Sequence, residues 1–311
     1  MSRVAVIGTG RWGRRLIRVF GDLDVLVLAC NRGDEEGQAW VRNAYPGVGV
    51  SSSADDAIDD PSIDTVVVAT PIATHGSLVA AALAAGKHVF VEKPLATSSV
   101  EAWRLVEAAD RADRRLFVGH TFLYDAGLER LHALVADDPV RHAALAWSKY
   151  GTFGEPLLWN LLPHEVSLTM WLIGQPESIE IIDHESGPTE LDHLRVRLGY
   201  KEPDPSAVIE IDRISADRTH RAEIATRSGA TYVWRDGDLL VERPGRGEER
   251  LVTAADEPLV REIGAFLRSI RTGEAARSDG RFGARVVEVV ERIGQLLQPV
   301  NGAPLRAGVP E

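Results

Sequence analysis

A single cysteine, Cys30, excludes a disulfide framework and fits a reducing, cytoplasmic compartment. No apolar run approaches the roughly 20 residues needed to span a bilayer, and no signal peptide precedes the strand pattern that opens at residue 2. Basic residues are in the minority. With 35 Lys and Arg against 46 Asp and Glu, the net charge is −11, which argues against nucleic acid or an anionic membrane as a general partner. Repeats and low-complexity segments are absent. Histidines paired with Cys or carboxylates at metal-ligand spacing are also missing, so no metal is expected.

The 311 residues suffice for two domains. A strand pattern at residues 4–7 runs into Gly8-Thr9-Gly10-Arg11-Trp12-Gly13 and then into a helical pattern with Leu16, Ile17, Val19 and Phe20 on one face. This G-x-G-x-x-G lies between a strand and a helix, the context a dinucleotide fingerprint requires. Gly8 permits the tight turn, Gly10 the approach of a pyrophosphate, and Gly13 close helix–strand packing. The helix N-terminus then offers N–H groups and partial positive charge to phosphates. The next strand, at 25–30, ends at Asn31-Arg32, where such folds usually carry an acid for the ribose 2′-hydroxyl. A neutral Asn31 followed by a cationic Arg32 favours a 2′-phosphate, so NADP is expected over NAD. In the alternative, Arg32 is solvated and Asp34 serves NAD.

A third strand pattern at 65–69 ends at Thr70-Pro71, and His75 opens an alanine-rich helix that Gly86 closes. The run from His88 to Val91 then stops at Glu92-Lys93-Pro94, placing Glu92 and Lys93 at the carboxyl end of a strand. Pro94 gives Lys93 a defined direction, and its peptide bond can be trans or cis. Ser98 and Glu101 form a capping-box pattern for a helix at 100–114, and a strand follows at 116–119. This alternation implies a doubly wound parallel sheet. Beyond residue 121, period-two segments at 178–184, 193–200, 207–214, 221–227, 231–234 and 239–242 imply a largely antiparallel meander. Residues 157–174 read as one helix with Pro163 in its first turn. On it, Asn160 and His164 stand four apart and share a face if that turn is helical. Helices at 258–270 and 282–297 close the fold, the first with a stripe of Leu259, Ile263, Phe266 and Leu267.

The glycine turn, Ala69-Thr70-Pro71, His75 and the run from Ala85 through Glu92-Lys93-Pro94 together resemble the glucose–fructose oxidoreductase/inositol dehydrogenase/MocA family. Residues 118–124 and 158–165 are similar to its nucleotide-sugar dehydrogenase branch. The resemblance implies an N-terminal NAD(P)-binding Rossmann domain at 1–120 and an α+β domain at 121–300 with an open, mixed, largely antiparallel sheet. In such proteins the second domain binds substrate and often forms homo-oligomers through its sheet, the closing helices pack back toward the nucleotide domain, and residues 301–311 are a tail. It implies Lys93 and His164 as catalytic residues, with Asn160 where the family motif has Asp. Gly8–Gly13, Asn31, Arg32, Thr70, Pro71, His75, Glu92, Lys93 and Pro94 are implied at the cofactor, and His120, Tyr124, Asn160 and His164 at a sugar or nucleotide-sugar substrate. An amide at 160 cannot accept a proton or support an imidazolium by charge. The rival readings are a dinucleotide- and sugar-binding sensor without turnover, and a reductase of an imine or unsaturated ring.

Overall fold

The computed structural model describes residues 2–201, 205–252 and 257–297, and the tail expected at 301–311 lies outside them. The chain divides into two compact units. One takes the residues through Thr121 and then Glu257–Val287; the other takes those from Phe122 and again from Glu288.

In the first unit β1 (Val4–Ile7), α1 (Arg11–Asp22), β2 (Leu26–Cys30), α2 (Glu35–Ala44), β3 (Gly49–Ser51), α3 (Asp55–Ile58), β4 (Thr65–Val68), α4 (His75–Ala84), β5 (His88–Glu92), α5 (Ser99–Ala112) and β6 (Leu116–Gly119) follow one another. The strands pair in parallel in the order β3-β2-β1-β4-β5-β6. Every residue of β1, β4 and β6 is buried, as in a sheet covered on both faces. Strand order reverses between β1 and β4, and open sheets bind ligands beyond the carboxyl ends at such a point.

Two sequence expectations need correction here. The strand at 65 is the fourth, because α2, β3 and α3 intervene. β3 has three residues and none is buried, so it leaves no apolar run to read. The capping box does not form either: Ser98 stands at the N-cap of α5 but makes no capping bond with its side chain. The Glu101 carboxylate instead lies against Gly76 of α4.

In the second unit α6 (Ala126–Asp137), β7 (Val140–Ser148), α7 (Leu157–Asn160) and α8 (Leu162–Leu172) precede a run of strands. These are β8 (Ser178–Glu185), β9 (His193–Gly199), β10 (Ser206–Asp212), β11 (Thr219–Thr226), β12 (Thr231–Arg235), β13 (Asp238–Glu242) and β14 (Glu249–Val252). The sheet order is β14-β13-β12-β11-β7-β10-β9-β8. The expected simple meander is therefore interrupted, since β7 is inserted between β11 and β10 and runs parallel to β10. Burial alternates along β9 and β10, the pattern of a sheet with one covered face, and α8 packs on β7 and β10. The expected helix at 157–174 is in two pieces, broken at Leu161 with Pro163 in the first turn of the second. The four-residue spacing of Asn160 and His164 thus no longer implies a common helical face.

The chain then forms α9 (Pro258–Thr272) and α10 (Gly280–Leu297). Leu259, Ile263 and Phe266 of α9 are buried. Phe266 meets Phe90 of β5 and Phe117 of β6, with ring centroids 5.6 and 5.3 Å away, while those two rings stack at 5.2 Å. These contacts seat α9 on β5 and β6 within the first unit. Among the described residues no helix is long and apolar enough to cross a membrane.

Candidate active site

The glycine turn is built as the fingerprint requires. Gly8 has φ +108°, and a side chain there would press into the Ala69 carbonyl beyond β4; at Gly13 it would strike the Gly8 carbonyl. At Gly10 a Cβ would meet nothing within 4 Å. Gly10 is the N-cap of α1 and no side chain caps that end, leaving backbone N–H groups for an anion. Arg11 is exposed, Thr9 is buried, and the half-buried Trp12 carries the Arg15 guanidinium 4.8 Å from its ring centre. These features fit a dinucleotide pyrophosphate.

A cavity of about 830 Å³ beside this turn is lined by Gly8, Asn31, Arg32, Thr70 and Pro71, so five expected cofactor residues share one space. Ser52, Ser53 and Asp55, which sequence reading passed over, line it too; their signal was the serine run ahead of Asp55-Asp56. Asp34 has its carboxylate engaged. Oδ1 accepts the Gly37 N–H at 2.8 Å, and Oδ2 accepts the Thr9 hydroxyl and the Asn31 amide, each at 2.8 Å. The Gly37 N–H and then the Thr9 hydroxyl hold this carboxyl below the usual range. Cys30 lines the same cavity, and burial pushes its thiol up to about 12, which excludes it as a nucleophile.

Two lysines flank β5. Lys87, 5% exposed, donates to the Asp60 and Ile63 carbonyls at 2.7 Å each, which is a structural task. Lys93, 8% exposed, lies one residue past the strand end and is joined to Pro94 by a cis bond. His75 ties the two loops at this edge together, its Nδ1 lying 2.8 Å from the Pro94 carbonyl oxygen and its Nε2 3.0 Å from that of Thr70. Glu92 is buried, and burial lifts its carboxyl to about 7 against the opposing pull of Lys93. His120 sits past the end of β6, 1% exposed, with its ring edge-on to Phe282 at 5.7 Å. Burial, then the charge of Lys93, bring it down to about 3, so it is neutral at working pH.

Sequence reading missed Glu262 of α9. It is fully buried and accepts the Thr121 hydroxyl at 2.7 Å. Burial, then the charge of Glu92, push it well above the carboxylate range. The signal was present: a carboxylate at 262 falls inside the stripe of 259, 263 and 266, where the helical period allows only buried side chains.

The second unit holds His164, 7% exposed, in a box of rings, with Phe122 at 5.2 Å and Trp147 at 5.1 Å between centroids. Trp147 also stacks on His220 at 4.3 Å, because the two residues are paired across β7 and β11. His220 lies with Nε2 2.8 Å from Glu165 Oε1. His193 likewise has partners, Asp183 and Glu210, each at 3.3 Å. Tyr124 is buried, 1% exposed, and Asn160 is the last residue of α7. Among the described residues no group of three or more His, Cys, Asp or Glu is placed to hold a metal ion.

Against known proteins, the family described as "Oxidoreductase family, NAD-binding Rossmann fold" matches residues 2–120. An inositol 2-dehydrogenase from Acidothermus cellulolyticus is 28% identical over 94% of this chain and 85% of its own. An inositol 2-dehydrogenase from Acidiphilium cryptum is 36% identical over 55% of this chain and 54% of its own. Several curated relatives are matched over only about three fifths of their length, 64% and 59% in two cases. The solved structure of UDP-N-acetylglucosamine 3-dehydrogenase from Acidithiobacillus ferrooxidans superposes with a TM-score of 0.86 at 21% identity, over 94% of this chain and 96% of that one; it shares the fold.

Proposed function

The chain belongs to the glucose–fructose oxidoreductase/inositol dehydrogenase/MocA family of NAD-binding oxidoreductases, and from that premise we propose that it moves a hydride between a nicotinamide cofactor and a ring hydroxyl of a sugar, cyclic polyol or nucleotide sugar. The observation that carries this reading is Lys93: a buried ammonium just past β5, in the sheet whose β1 leads into the glycine turn. A cation at that place is what an alcohol oxygen gaining negative charge calls for.

The bound nicotinamide supplies the hydride chemistry. The chain's own residues do the rest. Gly8, Gly10 and the start of α1 hold the pyrophosphate. Lys93 steadies the substrate oxygen as it loses its proton, and His164 takes that proton in oxidation or returns it in reduction. The aromatic box around His164 fixes its ring and keeps water from it. Arg32 receives a 2′-phosphate, which makes NADP the preferred cofactor. This is supported by its place in the cavity lining and by the full engagement of Asp34, and opposed by Asp55 in the same lining. His120 and Tyr124 serve the substrate. We expect the protein to work in the cytoplasm and to assemble through its eight-stranded sheet, which light scattering on the purified protein tests.

The relatives are named for oxidation at a numbered carbon of inositol and of UDP-N-acetylglucosamine, so the test is a panel of cyclic polyols, aldoses and nucleotide sugars offered with NAD+ and NADP+. Nicotinamide reduction with at least one member is expected. Binding of cofactor without turnover on any member overturns the reading in favour of a sensor, the alternative that Asn160 favours.

A further inference from the structure

Four buried polar atoms in the first unit have no hydrogen-bond partner among the described residues: Glu92 Oε1, Glu262 Oε1 and both ring nitrogens of His120. They collect around one short segment. The Glu92 carboxyl lies 3.3 Å from where a side chain on Gly119 would begin, His120 follows, and Thr121 donates to Glu262 at 2.7 Å. A buried polar group left without a partner is costly, and native proteins keep such groups where a charge or a proton is used.

Charge counting narrows what they do. The groups that the described contacts bring to this segment are Glu92 and Lys93 from the end of β5, His120 just past β6 and Glu262 from α9. The Arg285 guanidinium, 6.0 Å from the centre of the Phe282 ring that packs on His120, is exposed to solvent and stays outside the buried count. His120 is neutral. If both carboxyls ionised, two buried negative charges would face the single ammonium of Lys93. If both were protonated, that ammonium would be left unbalanced. One proton shared by the two carboxyls gives neutrality.

We propose that Glu262 and Glu92 form a buried carboxyl pair that keeps one proton near neutral pH, and that this pair sets the charge state of Lys93. Glu262 is thus a positioning residue acting through Glu92 and Lys93. The pair itself does not depend on the proposed reaction; its use toward Lys93 rests on that reading.

The pair is tested by difference infrared spectroscopy across a pH titration of the full-length protein. The wild type is expected to show a protonated carboxyl C=O band at neutral pH that Glu262→Gln and Glu92→Gln each remove, because the one carboxyl left then ionises to balance Lys93. Unfolding supplies a second readout. A carboxyl with a raised folded pKa is protonated in the native state and ionised in the unfolded chain between its two pKa values. Stability of the wild type therefore falls as pH rises above the ordinary carboxylate range, with a slope larger by about one proton than that of Glu262→Gln. A wild type without the band, or with a pH–stability curve that superposes on that of Glu262→Gln, overturns the pair. For the link to Lys93, kcat against pH should show a transition near 7 in the wild type that moves in Glu262→Gln and is absent in Glu92→Gln. Coincident kcat profiles in an active Glu92→Gln overturn the link. Absence of turnover in the wild type while the infrared band is present counts against the proposed reaction and leaves the pair standing.

Discussion

The parallel-sheet unit and the mixed-sheet unit differ in what their most deeply buried charged groups do. In the mixed-sheet unit the groups at Arg213, Asp192 and Asp125 are saturated, although Tyr200 Oη and Arg221 Nε have no hydrogen-bond partner among the described residues. Arg213, 1% exposed, donates to Asp192 at 2.7 Å, to the Thr152, Glu155 and Leu191 carbonyls and to the Thr189 hydroxyl. Asp125 caps α6 through the Leu128 N–H and also accepts the Trp234 indole N–H at 2.8 Å. In the parallel-sheet unit, Glu92, His120 and Glu262 keep buried atoms without hydrogen-bond partners among the described residues, beside Lys93. A satisfied buried network rigidifies a scaffold. Groups held short of partners at strand ends are what chemistry draws on.

If this contrast is correct, the two kinds of group fail differently. The largest effect is expected from Asp192→Ala, which strands the buried Arg213 charge at a cost of about 3–5 kcal/mol. Urea unfolding should show that loss, with cofactor affinity little changed in protein that remains folded. A cost near zero would mean the network is not structural. Next is Lys93→Met, expected to cut kcat by about 100-fold or more while leaving the unfolding midpoint and cofactor binding within a few-fold. Stability lost in place of turnover would put Lys93 with Arg213 and erase the contrast. Smaller again is Arg32→Ala. Losing a charge-assisted bond to a 2′-phosphate costs about 1.5–3 kcal/mol, so NADPH should weaken roughly ten- to a hundredfold and NADH hardly at all. Fluorescence titration measures both, and equal binding of the two cofactors by the unmutated protein refutes the preference.

The same contrast explains what could be read beforehand. Strands β1, β4, β5 and β6 announce themselves because burial on both faces demands continuous apolar runs, and Gly8 and Gly13 because no side chain fits there. β3 and β14 were silent: neither contains a buried residue. The insertion of β7 beside β10 was illegible because period-two alternation reports a covered face and says nothing of neighbours. Of the candidate site, Lys93 and the glycine turn are local in sequence and could be named from it. Glu262 stands about 170 positions from Glu92, and only the packing of Phe266 on Phe90 and Phe117 brings α9 to those strands. Glu165 and His220 meet across 55 positions, a pairing no spacing rule supplies.

The most direct test of hydride transfer follows the hydrogen itself. A cyclic polyol or nucleotide sugar carrying deuterium on its carbinol carbon should deliver that deuterium to carbon 4 of the nicotinamide ring, detected by mass spectrometry of the reduced cofactor, and Lys93→Met should suppress the label. Reduced cofactor without label, or no label from any member of the panel in protein that binds cofactor, would contradict a dehydrogenase acting on ring hydroxyls.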